Sequence, residues 1–166
     1  MLIVMSGLPG VGKTTIARAL ARATGAMHLR VDSIEQVMRR AGWAVEGEGY
    51  LVSHAVAEDN LRAGRIVIAD CVNPWPLTRA DWRAVAERTG VPVLDVEVVC
   101  TDAAEHRRRV ESRSGDIGLR LPTWQEVLER DYRSWDSPRL VIDASQLSVE
   151  ESVGRIVSEL KLADHN

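Results

Sequence analysis

The sequence predicts one three-layer α/β domain, in which helices cover both faces of a parallel sheet. Three observations lead to this prediction. Five short apolar runs alternate with longer stretches of helix-forming residues along the whole chain of 166 residues. A glycine-rich segment joins the first apolar run to the first helical stretch, as in a strand–loop–helix unit. No repeat, linker or low-complexity segment interrupts the pattern, so residues 1–166 are expected to form a single domain.

The apolar runs predict strands that are buried on both faces, because apolar residues follow one another with little alternation. The predicted strands cover residues 2–5, 27–31, 65–70, 92–100 and 139–143. In the fourth of these, Asp95 and Glu97 alternate with apolar residues, so one of its faces is expected to be less buried.

The intervening stretches predict helices, because of their apolar periodicity and their flanking residues. The predicted helices cover residues 15–22, 34–41, 50–63, 79–88, 101–113, 124–132 and 149–162. Thr78, Thr123 and Ser148 are suited to cap the helices that follow them, since a hydroxyl accepts hydrogen bonds from the first free backbone N–H groups. Gly25 and Gly90 are expected to end helices.

Composition and charge are those of an ordinary globular protein. They argue against nucleic-acid-binding, disulfide-rich, zinc-binding and membrane proteins. The net charge of −3 argues against a broad nucleic-acid-binding surface. Cys71 and Cys100 have no metal-ligand spacing, so neither a disulfide framework nor a zinc site is expected. No signal peptide is recognised and no apolar run is long enough to span a bilayer, so we expect a cytoplasmic protein.

The glycine-rich segment after the first strand has the pattern G-x-x-x-x-G-K-[ST], which is typical of a phosphate-binding P-loop. Its glycines allow a tight turn that points backbone N–H groups at an anion, and the following helix adds the positive end of its dipole. Lys13 supplies a positive charge for the β- and γ-phosphates, and Thr14 supplies a hydroxyl for Mg²⁺. The residues predicted to bind the nucleotide are Gly7, Leu8, Pro9, Gly10, Val11, Gly12, Lys13, Thr14 and Thr15.

Two aspartates follow predicted strands, at the edge of the sheet where open α/β folds bind ligands. Asp70 ends an apolar strand in the manner of a Walker B acid and is predicted to hold Mg²⁺ directly or through water. Asp32 follows the second strand and has two interpretations, as a cap of the next helix or as a catalytic carboxylate that faces the acceptor substrate. Its position in the sequence does not decide between them.

The loop after the third strand is expected to line the site for the acceptor, because it leaves the same edge of the sheet. Asn73 and Arg79 carry polar groups suited to contact the acceptor, and Pro74 and Pro76 stiffen the loop. Trp75 either forms an apolar wall of this site or packs within the loop.

An arginine-rich helix precedes a second glycine-rich segment, residues 114–122, which is expected to form a lid over the nucleotide. Arg109 and Arg113 are four positions apart and share one helix face, where two guanidinium groups suit the charge of a transferring phosphoryl group. The alternative is a solvated surface helix in which these arginines pair with nearby glutamates. Arg120, within the lid, is a further candidate.

These motifs resemble those of the P-loop kinases of the nucleoside-monophosphate-kinase-like group. The chain is most similar to their small-molecule and 5′-hydroxyl kinases, such as gluconate kinase, chloramphenicol phosphotransferase, zeta toxin and the kinase domain of polynucleotide kinase. The resemblance rests on residues 7–15, Asp32, Asp70, and the pair Arg109 and Arg113. It implies a P-loop NTPase fold with the strand order 2-3-1-4-5. It also implies that Asp32 takes the proton of the attacking hydroxyl, and that the two arginines contact the adenine and the phosphates.

The resulting hypothesis is a kinase that uses ATP and Mg²⁺ to phosphorylate a hydroxyl of a small molecule. Lys13, Asp32 and Arg113 are its predicted catalytic residues, and Thr14 and Asp70 its predicted metal ligands. The residues predicted to contact the acceptor are Asp32, Asn73, Trp75 and Arg79.

Two alternatives stay open from the sequence. One is a nucleotide-dependent regulatory or toxin-like ATPase, which hydrolyses ATP slowly without an acceptor. The other is a nucleic-acid 5′-hydroxyl or nucleotide kinase, against which the acidic net charge argues, because binding a polyanion normally needs a basic surface. The sequence identifies neither the acceptor nor the nucleotide base, and it is compatible with a monomer or a homodimer.

Overall fold

The computed structural model describes residues 1–115, 117–118 and 120–163, with the side chains of residues 161–163 outside that description. Its strands form one parallel sheet in the order β2-β3-β1-β4-β5, which confirms the order expected from the resemblance. The strands are β1 (Leu2–Ser6), β2 (Met27–Arg30), β3 (Val67–Asp70), β4 (Val93–Val99) and β5 (Leu140–Asp143).

Helices connect the strands and cover both faces of the sheet. Within the described ranges they are α1 (Lys13–Thr24), α2 (Val31–Arg40), α3 (Glu48–Arg62), α4 (Pro76–Thr89), α5 (Ala103–Ser112), α6 (Trp124–Leu128) and α7 (Val149–Ala163). None of these helices combines the length and the apolarity that crossing a membrane would require.

The core consists of two apolar layers, one on each face of the sheet. Alternate residues of β1 belong to different layers, because successive side chains of a strand point to opposite faces. Ile3 packs in a layer with α1 and α7, which contribute Ile16 and Ile156. Leu2 packs in the other layer, which includes Trp82 of α4. All residues of β1 are buried, as expected for the middle strand of a sheet covered on both sides.

The register of the strands brings the predicted functional residues to one edge of the sheet. Asp70, the last residue of β3, lies opposite Met5 of β1 on one side and Arg30 of β2 on the other. The carboxyl ends of three neighbouring strands therefore meet where the P-loop, Asp32 and Asp70 leave the sheet.

The start of α2 differs from the expectation. The helix begins at Val31, and Arg30 stands at its N-cap position with an extended backbone and no side-chain cap hydrogen bond. Since the chain passes directly from strand to helix, Asp32 lies in the first turn and caps nothing. The interpretation of Asp32 as a helix cap is therefore wrong.

The caps of the later helices are partly as expected. Thr123 caps α6, because its Oγ1 accepts a hydrogen bond from the Glu126 N–H at 3.2 Å. Thr78 is not the cap of α4 but its third residue, and its hydroxyl donates to the Trp75 carbonyl at 2.9 Å. α4 begins instead at Pro76, whose fixed φ suits the first helical position.

Two further expectations about burial and length are corrected. Asp95 and Glu97 of β4 are buried, because Arg83 and Arg139 pair with their carboxylates. α6 ends at Leu128 rather than near residue 132. The residues that follow it run irregularly against the loop after β3, where the Arg133 N–H donates to the Pro74 carbonyl at 2.8 Å.

Candidate active site

The P-loop adopts a tight turn that only glycine accommodates at two of its positions. Gly7 has φ +137°, and a Cβ there would lie 2.2 Å from the Val98 carbonyl oxygen. Gly10 has φ +86°, and a Cβ there would lie 2.5 Å from a methyl group of Val110. The close approach of β4 and α5 to the loop therefore requires both glycines. α1 starts directly after this turn, so its N-terminal dipole points into the loop.

Lys13 lies at the centre of the site, between the loop and the two aspartates. It is 8% exposed, and its Nζ donates to the Leu8 carbonyl oxygen at 3.0 Å. Burial lowers the pKa of Lys13, while the nearby carboxylates of Asp70 and Asp32 act in the opposite direction. The ammonium group is therefore within electrostatic reach of both acids.

Asp70 is 2% exposed and is held from two sides. Its Oδ2 lies 3.1 Å from Nε2 of His28 in β2, and the Thr14 hydroxyl also hydrogen-bonds to its carboxylate. Burial by itself would raise the pKa of Asp70, but the bonds from His28 and Thr14 and the charge of Lys13 lower it below its ordinary value. Asp70 is therefore ionised at neutral pH.

The donors at this position fit Mg²⁺. A hydroxyl and an ionised carboxylate are hard oxygen ligands, and Mg²⁺ usually takes its remaining ligands from phosphates and water. Among the described residues, no three side chains of His, Cys, Asp or Glu form a cluster that could hold a metal. Thr14 and Asp70 are thus suited to hold a metal that arrives with a nucleotide.

Asp32 faces the same space from α2. Its side chain is 41% exposed and lies 3.9 Å from Nη2 of Arg30. Both the P-loop and Asp32 line one large cleft of about 1570 Å³. Asp70 and Cys71 lie in the same lining between them. The cleft therefore joins a phosphate-binding end to an end that offers an accessible carboxylate.

The arginines of α5 lie at the P-loop end of the cleft. Arg109 donates from Nη2 to the Ala144 carbonyl at 2.9 Å and pairs with Glu105 at 2.7 Å. Arg113 stands at the C-cap of α5, and its charge is close enough to lower the pKa of Lys13. Arg109 makes the pair with a nearby glutamate that the surface-helix alternative predicts, and both arginines also line the cleft.

The predicted lid is described in part, because Asp116 and Leu119 lie outside the described residues. Arg120 lines the cleft, is 76% exposed and pairs with Glu126 at 2.7 Å. Ile117 and Gly118 contact α2, where Gln36 donates to the Gly118 carbonyl at 3.0 Å and Arg40 donates to the Ile117 carbonyl. This part of the segment therefore crosses the cleft toward the helix that carries Asp32.

The loop after β3 brings only one of its three predicted residues to the cleft. Trp75 lines it, is 46% exposed and donates from Nε1 to Asp131 at 3.0 Å. Asn73 is fully buried, with φ +51°, and its amide donates to the Ser6 hydroxyl at 3.0 Å. The expectation that Asn73 contacts an acceptor is corrected, because its side chain holds β1 and this loop together.

Arg79 has a structural role as well, and the expectation that it contacts an acceptor is corrected. It is 1% exposed, and its guanidinium stacks on the Trp135 ring at 4.1 Å. Its N–H groups donate to four backbone carbonyls at 2.6 to 3.2 Å, those of Asn73, Pro74, Arg133 and Ser134. The side chain has no face left for a substrate.

Sequence reasoning missed three residues that complete the site. His28 bonds Asp70, and its only signal was a polar residue between the apolar Met27 and Leu29 of a predicted strand. Gln36 lies one helical turn after Asp32, on the same face of α2. His106 of α5 lies with Nε2 2.9 Å from the Pro9 carbonyl oxygen and contacts Trp124 edge to face.

Comparisons with known proteins bear on the family and the fold of the chain. Residues 2–133 match the family model AAA_33, described as an AAA domain. The chain is 28% identical to a probable adenylyl-sulfate kinase of Aeropyrum pernix, over 97% of this chain and 92% of the relative. It is 24% identical to the shikimate kinase of Nitrosomonas europaea, over 96% of this chain and 78% of the relative. The APS kinase of Mycobacterium tuberculosis, solved in complex with AMPPNP and APS, has the same fold, with a TM-score of 0.76 at 19% identity and 96% coverage of both chains.

Proposed function

Because this chain belongs to the AAA_33 family of AAA domains, we propose that its P-loop and Asp32 act together as a kinase for a small molecule. The reaction transfers the γ-phosphoryl group of ATP to a hydroxyl. The observation that carries the proposal is the single cleft that joins the P-loop to the accessible carboxylate of Asp32. The relatives support it, since adenylyl-sulfate kinase and shikimate kinase are named for small-molecule substrates.

The nucleotide end of the cleft binds and orients the triphosphate. The backbone N–H groups of the P-loop and the N-terminus of α1 are suited to the phosphate oxygens, and Lys13 adds a positive charge beside them. Arg113 supplies a positive charge that stabilises the negative charge on the oxygens of the transferring phosphoryl group. Thr14 and Asp70 would hold Mg²⁺, which neutralises phosphate charge when it is bound.

The acceptor end provides the base. Asp32 orients the acceptor hydroxyl and takes its proton as the oxygen attacks the γ-phosphorus. A bond forms between that oxygen and the γ-phosphorus, the bond to the β,γ-bridging oxygen breaks, and ADP leaves. The contacts of Gln36 and Arg40 with the lid segment support exclusion of water, which would otherwise compete as an acceptor.

The proposal is tested by measuring ADP release from Mg-ATP with and without pooled hydroxyl acceptors. The pools contain sugars, nucleosides, phenolic and aminoglycoside antibiotics, hydroxy acids, adenylyl sulfate and short oligonucleotides. Lys13→Ala defines the background, and the exposed Arg22→Ala on the same helix controls for loss of a positive charge. We expect one small-molecule pool to raise the rate for the wild type and for Arg22→Ala, but not for Lys13→Ala.

Other outcomes would contradict the proposal in different ways. Slow ADP release that no pool changes would favour the regulatory ATPase. Acceleration by oligonucleotides alone would favour a 5′-hydroxyl kinase of nucleic acids. Equal turnover by Lys13→Ala and the wild type would contradict the assignment of the P-loop itself.

A further inference from the structure

His28 lies in the edge strand β2, and the described hydrogen bond of its side chain is with an acid of the site. Its Nε2 lies 3.1 Å from Oδ2 of Asp70, and the two side chains are 19% and 3% exposed. An ionised carboxylate can only accept hydrogen bonds, so His28 must donate from Nε2. The contact is therefore a directed, mostly desolvated bond and not a surface ion pair.

The strand register explains how the bond holds the carboxylate. His28 lies opposite Ile68, two residues before Asp70 in β3, so its side chain reaches forward along the sheet. It bonds Oδ2 from the β2 side, while Thr14 bonds the carboxylate from α1. Asp70 is thus held from two elements, by His28 of β2 and by Thr14 of α1.

A third group competes for the same carboxylate. The charge of Lys13 acts on Asp70, and that of Asp70 acts on Lys13. Loss of the His28 bond would leave the attraction of Lys13 less opposed, and this attraction acts to draw the carboxylate toward the ammonium group.

We propose that His28 is a positioning residue for the metal site, which keeps the Asp70 carboxylate directed at a nucleotide-bound Mg²⁺ and apart from Lys13. The inference rests on the proposed function only in that Asp70 and Thr14 hold the metal. It requires no knowledge of the acceptor. Hydrogen-bond partners of metal-binding side chains typically change metal affinity by about 10- to 100-fold when they are removed.

The test measures the affinity for ADP by calorimetry, once in EDTA and once in excess Mg²⁺. The dissociation constant in EDTA divided by that in Mg²⁺ reports the contribution of the metal to ADP binding. For His28→Leu, which removes the donor, we expect that ratio to fall about tenfold from the wild-type value, with the affinity in EDTA unchanged. His28→Gln places an amide N–H near the position of Nε2 and should restore most of the ratio. Met27→Leu, a neighbour in β2, should behave as the wild type.

Three results would overturn the inference. An unchanged ratio for His28→Leu means that His28 does not act on the metal. An equal loss of affinity in EDTA and in Mg²⁺, together with a lower melting temperature, means that His28 only stabilises the sheet. Failure of His28→Gln to differ from His28→Leu means that the hydrogen bond is not the cause.

Asp70→Asn separates this inference from the proposed metal ligands. If Asp70→Asn leaves the ratio at the wild-type value, Asp70 does not serve the metal, and the role of His28 falls with it. If Asp70→Asn lowers the ratio and His28→Leu does not, the metal assignment stands and the role of His28 alone is contradicted. A chain without any acceptor-dependent ADP release still gives either result, since no phosphoryl transfer is measured.

Discussion

Asp70 and Asp32, two aspartates of the cleft, differ in the chemical role to which their surroundings suit them. Asp70 is buried, bonded by His28 and Thr14, and kept ionised by a lowered pKa, so it is suited to hold a cation and not to exchange a proton. Asp32 is 41% exposed and open to the cleft, with Arg30 as its near neighbour. Burial and hydrogen bonding therefore suit these two residues of the same type to different proposed roles, metal binding for Asp70 and proton transfer for Asp32.

Asp32→Asn tests this division at the residue scale. We expect kcat for the identified acceptor to fall by about 10²–10⁴-fold, the usual contribution of a general base, while ADP affinity in Mg²⁺ stays at the wild-type value. Asp81→Asn, which removes another exposed carboxylate of the cleft, is the matched control and should retain kcat. A kcat for Asp32→Asn within a few-fold of the wild type would leave Asp32 without a catalytic role.

At the scale of elements, the loop after β3 is fixed by a buried arginine and not by its prolines alone. Arg79 of α4 bonds Asn73 and Pro74 in this loop and Arg133 and Ser134 in the segment after α6. Trp75, which lines the cleft, lies directly beside these bonds. The position of the cleft wall therefore depends on contacts made behind it.

Replacing Arg79 should destabilise the fold. Arg79→Ala removes one donor from each of four buried or part-buried carbonyls, of which that of Pro74 keeps its bond from the Arg133 N–H. We therefore expect the free energy of unfolding to fall by at least about 3 kcal/mol. Arg79→Lys should recover little of this, because an ammonium group cannot reproduce the planar fork of the guanidinium. Arg88→Ala, on the same helix, removes an exposed pair with Glu58 and should cost less than about 1 kcal/mol. Urea unfolding measures all three, and equal losses for Arg79→Ala and Arg88→Ala would contradict the role of Arg79.

The end of β5 carries a carboxylate that links stability to pH. Burial acts to raise the pKa of Asp143, but hydrogen bonds from Ser145 and Thr101 outweigh it and hold this pKa at about 2. The folded-state pKa is thus below the unfolded value of about 3.9. The stabilising contribution is therefore complete above about pH 4 and is lost as the pH falls through about 2.

Asp143→Asn should show this dependence directly. We expect its melting temperature to lie roughly 3 °C or more below the wild-type value at pH 7, since charged hydrogen bonds are lost. The difference should shrink as the pH is lowered toward 2. Asp136→Asn, at an exposed position, should show no difference at any pH. A gap for Asp143→Asn that stays constant between pH 7 and pH 2 would contradict the lowered pKa.

At the scale of the whole molecule, α2 connects the proposed base with the lid segment. Asp32, Gln36 and Arg40 follow one another at intervals of four residues and share a helix face. Gln36 and Arg40 donate to the carbonyls of Gly118 and Ile117, while Asp32 faces the cleft. Because Gly118 has φ +68°, and a Cβ there would lie 2.5 Å from Arg40 Nη2, this contact depends on the glycine.

Arg40→Ala tests whether α2 holds the lid segment. Loss of one hydrogen bond of about 1 kcal/mol should speed amide hydrogen exchange across residues 114–122 by roughly fivefold, measured by mass spectrometry. The adjacent Arg39→Ala is the control, because Arg39 pairs with Glu35 at 2.8 Å. Equal exchange in the two variants would mean that Arg40 does not restrain the segment.

Much of the site could be predicted because its signals are local in the chain. Residues 7–15 have fixed spacing between a strand and a helix, and Asp70 ends an apolar strand, so both were recognisable without any partner. Asn73 and Arg79 could not be placed in this way. Their sequence context fits a substrate-facing loop, and only the packing of the segment after α6 against that loop turns them inward.

The sequence by itself determined the alternation of strands and helices and the P-loop pattern predicted to face a phosphate, because periodicity and backbone geometry act over a few neighbouring residues. Tertiary structure alone decided which side chains meet across the sheet. It paired His28 with Asp70, 42 positions away, and Arg109 with the carbonyl of Ala144, 35 positions away. It also buried Asp95 and Glu97 beside arginines. The type of a residue determines its charge and its hydrogen-bonding capacity, but its partners depend on contacts that only the folded chain makes.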